Sequence, residues 1–204
     1  MPRTDDVFDY VIVGAGSAGC VIAARLSEDP SVSVCVLEAG KRDSNPLIRI
    51  PLGIAALVPR RLHNWAFETV PQAELYGRRG YQPRGKTLGG SSAINAMVYV
   101  RGHRSDFDEW AALGNSGWSY AEVLPYFLRS ENNERLSGRF HAQDGPLNVA
   151  DPRSPSAFTE IWLAAAEAQG LVRNPDFNGA QQEGIGLYQL TQKNGERCSA
   201  GPRS

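Results

Sequence analysis

No apolar run in this chain of 204 residues is long enough to cross a bilayer as a helix. Cysteine is scarce: Cys20, Cys35 and Cys198 are odd in number and widely spaced, which excludes a disulfide framework. Cys20 and Cys35 fall in elements expected to be packed and read as small buried hydrophobes of a reducing compartment. No metal-ligand spacing is present. Neither sign of charge is in excess, since 21 Lys and Arg against 22 Asp and Glu leave a net charge of −1. Basic clusters with interleaved aromatics are missing as well. Nucleic acid and anionic surfaces are therefore not indicated as partners. The N-terminus, MPRTDDVFDY, is acidic and is expected to enter a strand directly, so it lacks the pattern of a secretory signal. These absences point to the cytoplasm and leave peripheral membrane association open. Internal repeats and low-complexity tracts are also lacking. The hydrophobic content of 42% is ordinary for a soluble chain, and the length suits one domain or two.

Glycine is where the sequence becomes specific. Residues 8–13 form an apolar run of strand length, followed by Gly14, Ala15, Gly16, Ser17, Ala18 and Gly19. Residues 20–26 read as a helix, and a second apolar run, residues 32–37, ends at Glu38 and Ala39. This strand–glycine turn–helix–strand order is what a dinucleotide fingerprint requires. The first glycine makes the turn, the second lets backbone approach a pyrophosphate, and the third lets helix pack on strand. The helix N-terminus favours the anion, and Glu38 is placed to accept from a ribose hydroxyl. NAD and FAD both carry these groups, so the fingerprint alone leaves both open.

A second block lies at residues 83–108, PRGKTLGGSSAINAMVYVRGHRSDFD. It joins Gly89, Gly90, Ser91, Ser92 and Asn95, with Arg84 and Lys86 just before them. Glycines admit close backbone approach, and successive N–H and hydroxyl groups can surround an anion. The plain alternative is a turn leading into a buried strand. Residues 93–100 are an apolar run expected to hold the segment rigidly.

The wording Gly85-Lys86-x-Leu88-Gly89-Gly90-Ser91-Ser92-x-Ile94-Asn95, with Tyr99, Gly102 and Asp108 beyond, resembles the first signature of the glucose–methanol–choline (GMC) flavoprotein oxidoreductases. It is nearest to their choline-dehydrogenase-like and alcohol dehydrogenase branch. The resemblance covers nearly all of residues 8–200. It implies an α/β fold: a Rossmann-like FAD-binding βαβ sheet (residues 1–150) with the beginning of an α+β substrate-binding domain (residues 151–204). It implies FAD rather than NAD. Gly14, Gly16, Ser17, Ala18, Gly19, Glu38 and Ala39 would hold the ADP half, while Gly89, Gly90, Ser91, Asn95, Ala96, Met97 and Val98 would run towards the flavin ring. Trp65 matches a family tryptophan near the nucleotide; core packing is the equal alternative. Some relatives bond FAD to a histidine just before the asparagine. Ile94 stands there, which implies non-covalent FAD.

The rest of the chain is read more coarsely. Residues 40–58 are an excursion rich in Gly and Pro, and residues 63–69 alternate like a short strand. Ser105/Asp108 and Ser119/Glu122 have capping-box spacing. The first of these two helices should bury Phe107, Trp110 and Ala111. The second should bury Val123, Leu124 and Phe127, with Pro125 kinking or shortening it. Ser154 and Pro155 open a third helix, which carries Phe158, Ile161, Trp162 and Ala165 on one face and ends near Gly170. Residues 146–149 and 186–192 read as strands.

The resemblance implies oxidation of a small-molecule alcohol or choline-type CH–OH donor by hydride transfer to the flavin, with a histidine base. That base lies far beyond residue 204 in the family. His103 reads as a surface or loop histidine, His63 and His141 lie in loops, and none matches it, so no catalytic residue is assigned here. The expectation is an N-terminal fragment, ended by truncation or frameshift where residues 201–204 replace an expected helix. It should be inactive alone and carry exposed apolar surface. The alternative is a non-catalytic module binding FAD or NAD. The particular alcohol, the electron acceptor and the oligomeric state are not legible.

Overall fold

A computed structural model describes residues 7–201, and its chain packs as two compact units, Met1–Ala96 with Glu196–Ser204, and Met97–Gly195. The start of the acidic N-terminus and residues 202–204 lie outside the described residues. This division by packing differs in kind from the expected functional one at residue 150.

The first unit opens with β1 (Tyr10–Val13), α1 (Ser17–Leu26) and β2 (Val34–Leu37). The strands pair in parallel, Tyr10 beside Val34 and Val13 beside Leu37. This is the expected βαβ order with shifted boundaries. β1 begins later because Asp9 clasps the Ser33 amide and hydroxyl through its carboxylate instead of joining the ladder. The helix begins earlier, at Ser17, because the Cys20 amide already donates to the Gly16 carbonyl. Val11, Val13, Val36 and Leu37 are exposed, Val13 to 84%. Parallel strands are ordinarily covered on both faces.

The excursion folds into α2 (Pro46–Arg49) and α3 (Ile54–Leu57), joined by a 3-10 turn at Pro51–Gly53. Asn45 caps α2 by accepting from the Leu47 amide, with Pro46 at the first helical position. Ile48 and Leu57 pack with Ala93 and Ile94 into the core of this unit. β3 (Phe67–Glu68) and β4 (Tyr81–Gln82) pair antiparallel, so only two residues of the alternating run 63–69 are strand. The expected rigid strand at 93–100 is corrected in the same way. Gly90–Ala93 is a 3-10 turn, and only Val98–Tyr99, in the second unit, is strand.

That second unit pairs β5 (Val98–Tyr99) with β8 (Gln189–Leu190), antiparallel, and β6 (Glu131–Asn133) with β7 (Leu147–Val149), parallel. Between them come α4 (Arg104–Ala112), α5 (Tyr120–Ser130) and α6 (Ala157–Glu167), and β9 (Gln192–Lys193) follows. The Ser119/Glu122 capping box forms as expected, and α5 continues through Pro125 for 11 residues. The Ser105/Asp108 box does not form. His103 caps α4, with Asp106 accepting from its amide, and Asp108 instead accepts from the Tyr120 amide, tying α4 to α5. Phe107 is buried against Trp110, Tyr120 and Phe127, with ring centroids 5.6, 6.2 and 5.7 Å away. The cap of α6 is Ser156, not Ser154, because it is the Ser156 hydroxyl that accepts from the Phe158 amide. Gly170, at φ 88°, closes the chain past that helix. The first unit resumes with β10 (Glu196–Arg197).

Candidate functional site: two glycine loops in the first unit

Gly14 leaves β1 at φ 96°, a left-handed turn that glycine makes without strain, and its amide donates to the Leu37 carbonyl at 2.7 Å. α1 then starts without any side-chain cap. Its first N–H groups therefore remain available to an anion, and the helix dipole adds to their attraction. The glycines differ in what a Cβ would meet. At Gly19 it would lie 1.9 Å from the Gly14 oxygen, so this glycine serves helix–turn packing. At Gly16 nothing lies within 4 Å, so the protein itself does not require the missing side chain. That open space, beside exposed Ser17 and Ala18, fits a ligand approaching the backbone.

The second loop closes on the first. The Gly89 amide donates to the Ala15 carbonyl at 2.8 Å, and a Cβ on Gly90 would fall 2.6 Å from the Gly16 Cα. Gly89 and Gly90 both have positive φ, 83° and 55°. Within the first unit, residues 83–96 thus pack on the other glycine loop, and their glycines permit that contact. The turn is braced internally. Ser92 Oγ donates to the Gly89 carbonyl at 2.6 Å, and Ser91 Oγ accepts from the Gly85 amide at 3.1 Å. Gly89 and Gly90 are buried beneath, while Ser91, Asn95 and Ala96 are exposed.

Glu38 follows β2 and turns its carboxylate back onto the loops, Oε2 accepting from the Ala15 amide at 2.8 Å and Oε1 from the Gly40 amide at 2.7 Å. Each oxygen keeps a second lone pair for a hydroxyl donor. Ala39 is exposed beside it. Trp65 is partly exposed, stacked on Phe67 at 5.7 Å, with Lys86 Nζ 4.1 Å above its ring. It is thus not a core residue, and an aromatic–cation surface forms instead. Gly14 through Gly19, Glu38, Ala39, Trp65, Gly89, Gly90, Ser91, Asn95 and Ala96 all belong to the first unit, whereas Met97 and Val98 belong to the second. Ile94 is buried in the core with Ile48 and Leu57.

The cysteines and histidines need correction. Cys20 and Cys35 are only half-buried, and Cys198 is the buried one. Burial still raises the Cys20 thiol above its ordinary range, and its Sγ lies 3.3 Å from the Ala15 oxygen. His63 meets Asn45 at 2.9 Å, and His103 is a helix cap. His141, expected in a loop, is fixed in place. It is buried in the second unit between Glu131 at 3.0 Å and Asp176 at 2.9 Å, and Glu131 also pairs with Arg101 at 2.9 Å. Burial pulls its pKa down, but the hydrogen bonds to Glu131 and Asp176 outweigh that and raise it. Burial pushes Glu131 up, and the bonds from His141 and Asn133 with the Arg101 charge prevail to lower it. Paired on both nitrogens, this ring supports the fold. Among the described residues no cluster of His, Cys, Asp and Glu is placed to hold a metal.

The match that decides the family is to GMC oxidoreductase, over residues 8–202. This chain belongs to the GMC oxidoreductase family. Its fold agrees: the structure superimposes with a TM-score of 0.89 on pyridoxine 4-oxidase from Mesorbium loti, at 37% identity, covering 95% of this chain and 38% of that one. A formate oxidase of Aspergillus oryzae, studied for FAD modification, matches at a TM-score of 0.84 and 29% identity, covering 95% and 36%. Among curated relatives, the alcohol dehydrogenase [acceptor] of Pseudomonas putida is 50% identical over 195 residues, 95% of this chain and 35% of that protein. The oxygen-dependent choline dehydrogenase of Vibrio vulnificus is 46% identical, covering 94% and 35%. The GMC chain here thus spans about a third of the length of these relatives.

One residue that holds the second loop escaped sequence reasoning. Arg197 lies about a hundred residues from the second loop, yet its guanidinium donates to Asn95 Oδ1 at 2.7 Å and the Ser92 carbonyl at 3.2 Å. No local motif marks it, because the contact joins residues about a hundred positions apart.

Proposed function

We propose that this chain is the FAD-binding portion of an oxidoreductase that converts a CH–OH donor, of alcohol or choline type, to a carbonyl. The observation that carries this is the closure of the two glycine loops on one another, Gly89 amide to Ala15 carbonyl and Gly90 against Gly16, beside an uncapped helix N-terminus. Gly14, Gly16, Ser17, Ala18 and Gly19 would hold the pyrophosphate through backbone N–H groups. Glu38, with Ala39 beside it, would accept from the ribose, and Trp65 would flank the nucleotide. Gly89, Gly90, Ser91, Asn95 and Ala96 would contact the flavin side. When bound, FAD supplies the two-electron acceptor that oxidation of a carbinol requires. FAD rather than NAD is supported by membership of the GMC family, whose match runs through the second loop. Attachment is non-covalent, because Ile94 carries no nucleophile and packs into the core.

The chain's own residues bind and orient; they do not supply the base. His63, His103 and His141 are each engaged elsewhere, and a base must reach the substrate hydroxyl. Among the described residues no helix is long and apolar enough to cross a membrane. The test is an anaerobic titration of the FAD-loaded chain with choline and with primary alcohols. The expected outcome is FAD binding that excess NAD does not displace, with no bleaching of the flavin. Displacement by NAD would favour a general nucleotide module, and bleaching would place a base within these residues.

A further inference from the structure

Arg197 is buried, yet its hydrogen-bond partners among the described residues are all carbonyl oxygens and none is a carboxylate. Its Nε donates to the Ile48 carbonyl at 2.8 Å, and its Nη1 donates to Asn95 Oδ1 and to the Ser92 carbonyl. Its Nη2 is buried without a hydrogen-bond partner among the described residues. Burial pushes its pKa down to about 10, so the group remains cationic at neutral pH. A lone buried guanidinium is costly, and an apolar residue of like volume would avoid that cost.

What the apolar residue could not do is hold the second glycine loop. A guanidinium carries only donors, so Asn95 must face it with its carbonyl oxygen and turn its amide NH2 away. The Ser92 carbonyl is fixed by the same group. Just beyond, the Ala200 amide donates to Ser92 Oγ at 3.0 Å, and that hydroxyl donates on to the Gly89 carbonyl. The segment 197–200 therefore holds the turn at the Ser92 backbone, the Ser92 hydroxyl and the Asn95 side chain. We infer, on the flavin-binding reading above, that Arg197 is a positioning residue that sets the Ser92–Asn95 turn in its cofactor-binding geometry before the flavin arrives. Ordering a loop in advance removes part of the entropy that binding would otherwise cost.

Fluorescence titration with FAD and hydrogen exchange on the cofactor-free chain test this together. Arg197→Met is expected to weaken FAD binding at least tenfold, and Arg197→Lys, which keeps charge and a donor, to recover part of it. Asn95→Ala should weaken binding similarly, and the loss in the double variant should fall short of the product of the two single losses, as for residues that share a contact. In Arg197→Met the amides of Ser92, Ile94 and Asn95 should exchange at least tenfold faster, while those pairing β1 with β2 keep their protection. Unchanged affinity, multiplying effects in the double variant, or protection lost throughout the first unit would each overturn the inference. A wild-type chain that binds no FAD would overturn the flavin reading; the exchange of Ser92, Ile94 and Asn95 then still decides whether Arg197 holds the turn.

Discussion

Gly16 and Gly19 stand three residues apart, and the fold asks opposite things of them. A methyl group at Gly19 would meet the Gly14 carbonyl at 1.9 Å, whereas at Gly16 it would meet open space. Gly19→Ala is therefore expected to destabilise the chain by about 1–3 kcal/mol or more, through forced separation of α1 from the turn. Gly16→Ala should leave the melting temperature nearly unchanged and weaken FAD binding. Thermal unfolding beside FAD titration checks both. The spacing alone announced these glycines, because the fingerprint is local. His141 was not legible, because Glu131 and Asp176 reach it from 10 and 35 residues away. Its raised pKa has a definite consequence. The contribution of His141 is fully present below its unfolded value, about 6.5, and is lost as pH rises through the higher folded value. Glu131 behaves inversely, contributing above its unfolded value and losing that contribution as pH falls through its lowered folded value. Stability should thus fall on either side of a plateau between the two ranges. In His141→Gln the alkaline decline should vanish, as thermal melts across pH would show; a decline that persists unchanged would remove His141 as its cause.

At the scale of elements, periodicity located α6 correctly but said nothing of what covers it. Phe158, Ile161 and Trp162 do share a face by spacing, yet they are exposed to 77%, 65% and 64%, and the buried residue of the helix is Leu163. In this chain Ile161→Lys should change stability by no more than about 0.5 kcal/mol, whereas Leu163→Ala should cost about 2–5 kcal/mol. Chemical denaturation measures both; equal costs would contradict the packing. The caps of α4 and α6 moved by two residues from their expected places for a related reason. Serine and proline mark a helix start only loosely, and the final choice fell to contacts such as Asp108 with the Tyr120 amide. The βαβ start, by contrast, was legible because turn chemistry, strand length and helix all agree within thirty residues.

Across the molecule, two packed units share one continuous chain, and the first collects both glycine loops from stretches some seventy residues apart. The resemblance suggested that these loops serve one cofactor, and the Gly89–Ala15 hydrogen bond supplies the contact that sequence cannot show. The exposed apolar faces of β1 and β2 match the expectation of uncovered surface, in a chain spanning about 35% of its curated relatives. Equilibration of the chain with FAD, gel filtration, and visible spectroscopy before and after acid precipitation test the flavin assignment most directly. The expected result is a flavin spectrum that co-elutes with the polypeptide and passes wholly into the acid supernatant. A polypeptide that elutes without flavin would contradict the two-loop site, and flavin retained in the precipitate would contradict its non-covalent attachment.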